Sequence, residues 1–448
     1  MKAFLDKLHA RLGDFWWYSL MLFCAMRAAD CLNVFVGLWL VPKYVPPSEL
    51  GAVQPLANFA SFLALPAAVF ASTFRQELSN LAVNRQFGKM KTLMRSVFIA
   101  AAIFLFLAIV VSHFVLPHFL TRIRIAEGSL GMLIIVYSFI NTLSPIFSNA
   151  LQSLKKFKAT TVISLLGAPI RFLAMLATMP LRALSGYFIG QTSTPAFSIV
   201  TSVIALRKEL SVKAEPYWTR PAIRKFSKLF FIFGISSVTG GFACLVETTV
   251  LRQRIPEIES AAYYMTSRFS EIAGFVCSAL SFTIFPFAAR LAAQGKSTNP
   301  IVLKSCSAIL VSNAALAGFF WLYGRSILAF LPNGAQYAEF WWAIDLSILQ
   351  GTLMQFTALY TTAEASANRF RYMWWSAPLS LIYTATLLCI TGYGYFANYL
   401  PSSWATFLST HNITSLKSIL WWFVGFNFIK LILCIVDAHF RTVTSHQK

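Results

Sequence analysis

Apolar runs of about 20 residues, each long enough to cross a bilayer as an α-helix, recur along this sequence from residue 16 to residue 440. No other feature constrains the fold as much. In lipid every backbone N–H and C=O must be bonded within the protein, which leaves helices and closed barrels. Runs of this length argue for helices. Twelve are legible, over 16–41, 50–72, 93–117, 130–152, 159–180, 184–206, 227–251, 261–288, 303–330, 337–364, 372–396 and 418–440. Charged residues make up only 12% of the 448, against roughly 25% in soluble domains. The expected fold is therefore all-α and integral to the membrane. Runs 8 and 10 exceed what a bilayer needs, which implies tilt or protrusion.

The first run is too long for a signal-peptide core and lacks a small-residue cleavage site after it. Ahead of it, residues 1–15 place Phe4, Leu5, Leu8 and Leu12 on one helical face, with Lys7 and Arg11 elsewhere. That pattern fits an interfacial helix or a plain polar leader. With the N-terminus inside, the cytoplasmic segments carry 25 of the 37 basic residues, the outer segments eight and the spans four. This threefold bias supports twelve spans with both termini cytoplasmic. The net charge of +21 then reflects topology and anionic membrane lipids as partners, not nucleic acid.

The basic connection 207–226 divides the chain into two six-helix halves, 16–206 and 227–448. Six helices per half give both the same orientation, as in transporters with parallel repeats. A weak echo links 58–74 to 268–284 at an offset of 210, and the same offset carries run 1 onto run 7. Chance likeness between apolar helices gives such an echo too. No loop is long enough for a separate domain, and the Asn412-Ile413-Thr414 sequon carries little weight.

Ionisable groups within spans are costly, face the protein interior or water, and mark transport paths. Well inside the spans are Arg27 and Asp30 in run 1, Arg171 in run 5, Glu247 in run 7, Arg268 and Glu271 in run 8, Asp345 in run 10 and Lys430 in run 12. Glu339, Glu364 and Asp437 sit near span ends and snorkel to the headgroups without a role. Arg27/Asp30 and Arg268/Glu271 are spaced i, i+3, so each pair shares a helix face. Two readings stand: local ion pairs that neutralise themselves, or arginines lining a cavity that binds an anionic headgroup. A guanidinium suits phosphate because its planar fork of donors never deprotonates. Four cations stand against four acids, so charge counting decides nothing. Pro66, Pro145, Pro169 and Pro378 lie within spans, where proline can kink a helix.

Seven cysteines fall in apolar stretches without CxxC spacing, and six histidines lie at or beyond span ends. Neither pattern suggests a metal, disulfide or redox centre. No Walker A loop, dinucleotide turn, HExxH or acidic sugar-nucleotide motif occurs, so neither ATP hydrolysis nor enzymatic catalysis is expected. Transport is left to an ion gradient, the membrane potential or the substrate's own gradient.

Three regions then resemble the polysaccharide flippases of the multidrug/oligosaccharidyl-lipid/polysaccharide (MOP) exporter superfamily. They are YVPPSELGAVQPLANFASFLALPAAVFASTFRQELS (44–79), NALQSLKKFKATTVISLLGAPIRFLAML (149–176) and SAAYYMTSRFSEIAGFVCSALSFTIFPFAARLAAQG (260–295), roughly a quarter of the chain. The third is the most specific. Its Tyr-Tyr, following Arg and terminal Phe-Pro before a basic residue resemble helix 8 of the lipid II flippase branch. The resemblance implies a MOP-type fold of two halves around a central cavity. It implies a bacterial inner-membrane protein moving a polyprenyl-diphosphate-linked oligosaccharide by alternating access, beside polysaccharide-assembly proteins. It also implies that Arg268 meets the diphosphate and that Arg27 plays a similar part. Arg171 and Lys430, which have no acid nearby on their own helices, join them as diphosphate-binding candidates on the charge pattern alone. Glu271, Asp30, Glu247 and Asp345 serve as counter-charges or ion-coupling groups. No cofactor is implied beyond a coupling H+ or Na+. Run 11 lacks the acid that completes the branch's sodium site, which puts sodium coupling in doubt. That branch has fourteen helices, and twelve favours the O-antigen and exopolysaccharide flippases. The alternatives are a lipid II flippase, a drug or cation exporter of the same superfamily, and, in a different class, a cell-wall polymerase or ligase.

Overall fold

The computed structural model describes residues 24–65, 74, 77–78, 81–82, 84–125, 129–154, 156–294, 297–367, 369–390 and 415–446. The leader 1–15, Pro66 and the Asn412 sequon lie outside them. The described residues form α1 (Cys24–Tyr44), α2 (Val53–Leu63), α3 (Phe87–Arg122), α4 (Ser129–Ser153) and a tract Phe157–Leu210. That tract divides into α5 (157–181) and α6 (184–210). There follow α7 (Arg220–Arg254), α8 (Glu257–Ala293), α9 (Asn299–Phe330), α10 (Trp342–Ser366), α11 (Met373–Ile390) and α12 (Leu416–His446). Among the described residues, five helical stretches are long and apolar enough to cross a membrane: Cys24–Tyr44, Leu130–Ser153, Lys158–Leu210, Asn299–Phe330 and Leu416–His439. Of the other expected runs, 93–117, 227–251 and 261–288 are helical throughout, and 50–72, 337–364 and 372–396 are helical over their described residues except for turns at 51–52 and 64, at 341 and at 372.

Two boundaries have local causes. The break between α5 and α6 falls at Arg182 and Ala183, not at Pro169, Pro180 or Pro195. Ala183 has φ 34°, in the left-handed region that costs an L-residue energy. Run 10 does not start its α-helix at 337. A 3-10 turn, Gly334–Phe340, precedes α10. Asn333 is left-handed at φ 55°, and its Nδ2 donates to the Pro42 carbonyl at 2.7 Å. A Cβ on Gly334 would stand 1.8 Å from the Leu328 carbonyl oxygen. The chain must therefore turn on glycine before a new helix begins.

Over their described residues the helices group into two compact units. One comprises Met1–Val36 and Leu56–Gly241, the other Gly37–Pro55 and Phe242–Lys448. In the first, Met90, Leu93, Leu143, Ile146, Ala150 and Leu206 form a buried cluster of α3, α4 and α6. Gly190 lets α6 approach α5 closely: a Cβ there would stand 2.2 Å from Met175 Cγ and 3.1 Å from the Met175 backbone. Small residues play this part between membrane helices, where water supplies no hydrophobic force. The connection after α6 is fastened to α3. The Glu215 N–H donates to the Gly88 carbonyl at 3.2 Å, Lys91 Nζ to the Val212 carbonyl at 3.0 Å and Trp218 Nε1 to Ser96 Oγ at 2.8 Å. Tyr217 donates to Glu77 at 3.3 Å. Burial, then the Glu77 charge, push its phenol up to about 12.

In the second unit, fully buried Arg252 donates to the Ser48 carbonyl and lies 3.7 Å from Glu257. Glu259 caps α12 by accepting from the Leu416 N–H at 2.8 Å. These contacts tie residues 47–51 and the α7–α8 corner together. Large apolar side chains such as Phe106, Phe114, Leu322 and Trp374 are exposed on the helices. So much outward apolar surface suits lipid as the solvent.

Candidate functional site

Apart from Asp345, the expected site residues fall into three groups. Arg27 and Asp30 sit one turn apart on α1 and close at 2.9 Å, both largely covered. In the same unit, Arg171 on α5 donates from Nη1 to Gln191 Oε1 at 3.1 Å, and Gln191 passes its own N–H to the Tyr187 hydroxyl at 2.7 Å. Arg171 lies close enough to add to the field at Asp30. Phe35 and Phe172 face each other with ring centroids 6.2 Å apart, joining α1 to α5.

The second group centres on Arg268 of α8. Its guanidinium pairs with Glu271 through Nη1 and donates from Nη2 to Gln54 Oε1 at 3.2 Å. It lies 4.6 Å from the Tyr264 ring centroid, one turn back. Its stem crosses Gly37 of α1, where a Cβ would stand 3.1 Å from Cδ. Gly37 lies in a π-helical stretch, Val36–Leu40, a local widening often found at functional sites. The arginine side chain is 16% exposed and Glu271 43%. The acid is thus the outer, more exchangeable partner, and Gln54 and Tyr264 hold the cation from within.

The third group surrounds Glu247 of α7. Oε1 accepts from Gln350 Nε2 of α10 at 3.1 Å, and Oε2 from the Tyr383 hydroxyl of α11 at 3.2 Å. Tyr383 stacks on Phe426 of α12 at 3.8 Å, and Lys430 Nζ lies 4.7 Å from the Phe426 ring centroid. Two neighbouring helices, α10 and α11, therefore hold the carboxylate of α7, and α12 backs the phenol. From α11 comes a phenol, where the resemblance leads one to look for an acid. Asp345 stands apart in the first turn of α10. Both its carboxylate oxygens are buried without a hydrogen-bond partner among the described residues. No group of three or more His, Cys, Asp or Glu gathers as a metal site among the described residues.

Gln54, Gln191, Gln350 and Tyr383 are the members that charge-based reading misses. They are neutral, and their partners lie far away in sequence except for Arg171, 20 residues from Gln191. The available signal is the rarity of carboxamides inside apolar runs, where each must find a partner.

A family model described as MatE matches residues 31–177. The structure is similar to an inward-facing multidrug resistance MATE transporter of the MOP superfamily, with TM-score 0.64 and 14% identity, covering 94% of this chain and 96% of that one. An outward-facing MATE transporter matches with TM-score 0.63 and 13% identity, covering 98% of each chain. The lipid II flippase MurJ, inward closed, matches with TM-score 0.60 and 16% identity, covering 93% of this chain and 92% of that one. No curated protein matches the sequence. The chain thus has the all-α integral membrane fold of MOP-superfamily transporters.

Proposed function

We propose that the chain is a flippase. It carries a polyprenyl-diphosphate-linked oligosaccharide from the inner to the outer leaflet by alternating access, through twelve spans with both termini cytoplasmic. The observation that carries this reading is Arg268: a guanidinium within a span, anchored by Gln54 and Tyr264, with its remaining charge met by a half-exposed acid. A diphosphate exchanges for Glu271 by offering the same geometry with more charge. Arg27, Arg171 and Lys430 add positive potential for the cargo. Glu247, held by Gln350 of α10 and Tyr383 of α11, is the proposed coupling group for H+ or Na+, and Asp30 and Asp345 balance charge. The likeness to a lipid II flippase favours a cargo of this chemistry, and lipid II itself is the nearest variant.

A second reading is multidrug export, favoured by the MATE transporters among the similar structures. Cationic drugs meet repulsion at Arg27, Arg171 and Arg268. The test is complementation in cells depleted of the native protein, following lipid-linked oligosaccharide on the outer leaflet. Arg268→Ala and Arg27→Ala, at normal expression, should lower it at least tenfold, with Lys restoring only part. Full activity in both alanine variants would reject the diphosphate assignment.

A further inference from the structure

Beyond the diphosphate contact lies a polar face of α8 and α10 that the charged residues do not account for. Its orientation follows from one hydrogen-bond chain. Thr352 Oγ1 donates its only proton to the Ile348 carbonyl at 2.7 Å, so toward Asn313 it can only accept. The Asn313 atom 2.9 Å from it must therefore be the amide nitrogen. The same nitrogen lies 3.2 Å from the Gln355 carboxamide, which must meet it with oxygen. Both Asn313 N–H groups are then used. Gln355 is left with Nε2 turned away from Asn313, donating to no described residue.

That nitrogen lies 3.9 Å from where a Cβ would stand on Gly274 of α8 and on Gly351 of α10. Side chains at either position would cover it. Beside Gly351, 3.6 Å from its would-be Cβ, is Ser270. The Ser270 hydroxyl donates to the Ser267 carbonyl at 2.7 Å and keeps its lone pairs as acceptors. Glu271, next in sequence, is 43% exposed. A carboxylate within a span faces the bundle interior or a water-filled cavity, and on the reading of α8 as a span this face is the wet one. Gly274 lies six residues beyond Arg268, about 9 Å along the helix axis, with Glu271 midway. Interhelical glue accounts for Asn313, Thr352 and Gln355 Oε1. It leaves the two outward N–H groups without a purpose.

We propose that this face is a saccharide subsite, in which the Gln355 amide donates to hydroxyl or acetamido oxygens of the glycan and Ser270 accepts from its hydroxyls. The proposal rests on the flippase reading: Arg268 holds the diphosphate and the first sugars extend along α8 toward Gln355. The full chain in nanodiscs is titrated with undecaprenyl diphosphate and with the host's own extracted lipid-linked oligosaccharides. Gln355→Leu should weaken the glycosylated lipid about three- to tenfold, the scale of one neutral hydrogen bond, and leave undecaprenyl diphosphate within twofold. Because Leu also strands an Asn313 N–H, Gly351→Val serves as a second variant. It keeps the carboxamide network and covers the amide, and the same selective loss is expected. Equal losses for both lipids, or no loss in Gly351→Val, would overturn the subsite. A wild-type chain that binds neither lipid would overturn the flippase reading on which it rests.

Discussion

Replacing Glu271 with glutamine should tighten diphosphate binding, although it removes a charged residue from the site. In the unliganded protein the carboxylate occupies Nη1 of Arg268, so an incoming diphosphate must displace it. With Glu271 43% exposed, the pair belongs with solvent-accessible ion pairs, worth about 0.5–1 kcal/mol. The guanidinium stays in place without it. Gln54 still accepts at 3.2 Å, and the Tyr264 ring at 4.6 Å contributes about 0.5–1 kcal/mol of cation–π attraction. Releasing the competitor should therefore raise affinity for undecaprenyl diphosphate about two- to fivefold, since about 1.4 kcal/mol is a factor of ten. Arg268→Ala should lower it about 10- to 150-fold, by loss of charge-assisted bonds worth about 1.5–3 kcal/mol. Titration of the protein in nanodiscs at low ionic strength measures both. Turnover should move the other way for Glu271→Gln, because the acid no longer recaptures Arg268 when product leaves. Unchanged or weaker binding in Glu271→Gln would refute the exchange mechanism, and normal binding in Arg268→Ala would refute the site.

Other substitutions test neighbouring features. Gly37→Val should push the Arg268 stem from its 3.1 Å berth and weaken diphosphate binding several-fold, read in the same titration. Tyr383→Phe keeps the stack on Phe426 but leaves Glu247 Oε2 without its phenol donor. A lower melting temperature should report a cost of about 1–3 kcal/mol for the stranded acceptor. Glu247→Gln should uncouple transport from the ion gradient while leaving diphosphate affinity within twofold, measured by flipping with and without an imposed gradient. Gly334→Ala places a Cβ 1.8 Å from a carbonyl oxygen. An overpacking cost of about 1–3 kcal/mol should appear as a drop in melting temperature.

Hydropathy alone reveals the helical character of the chain, because apolar runs in lipid have one way to satisfy their backbone. Helix ends are less legible. α3 and α7 continue beyond the apolar runs at 93–117 and 227–251 to Phe87–Arg122 and Arg220–Arg254, since polar residues outside lipid still extend a helix already nucleated. The start of α10 shifts because Asn333 and Gly334 make a turn that an apolar count does not register. Within the candidate site, i, i+3 spacing is enough to read Arg27 with Asp30 and Arg268 with Glu271, because helix geometry makes such pairs local. Gln54 meets Arg268 across 214 residues, and Tyr383 meets Glu247 across 136. Those contacts depend on which helices pack together, and periodicity within one helix carries no trace of it. The orientation of the Gln355 amide is further removed still, since it follows from the single proton of Thr352.

The central claim is that the cargo is an anionic lipid-linked saccharide and not a cationic drug. Its most direct test uses one batch of proteoliposomes, assayed in parallel for translocation of the host's lipid-linked oligosaccharide and for transport of ethidium. The account predicts oligosaccharide translocation that Arg268→Ala abolishes, with ethidium movement at the level of empty liposomes. Ethidium transport without oligosaccharide translocation would contradict it.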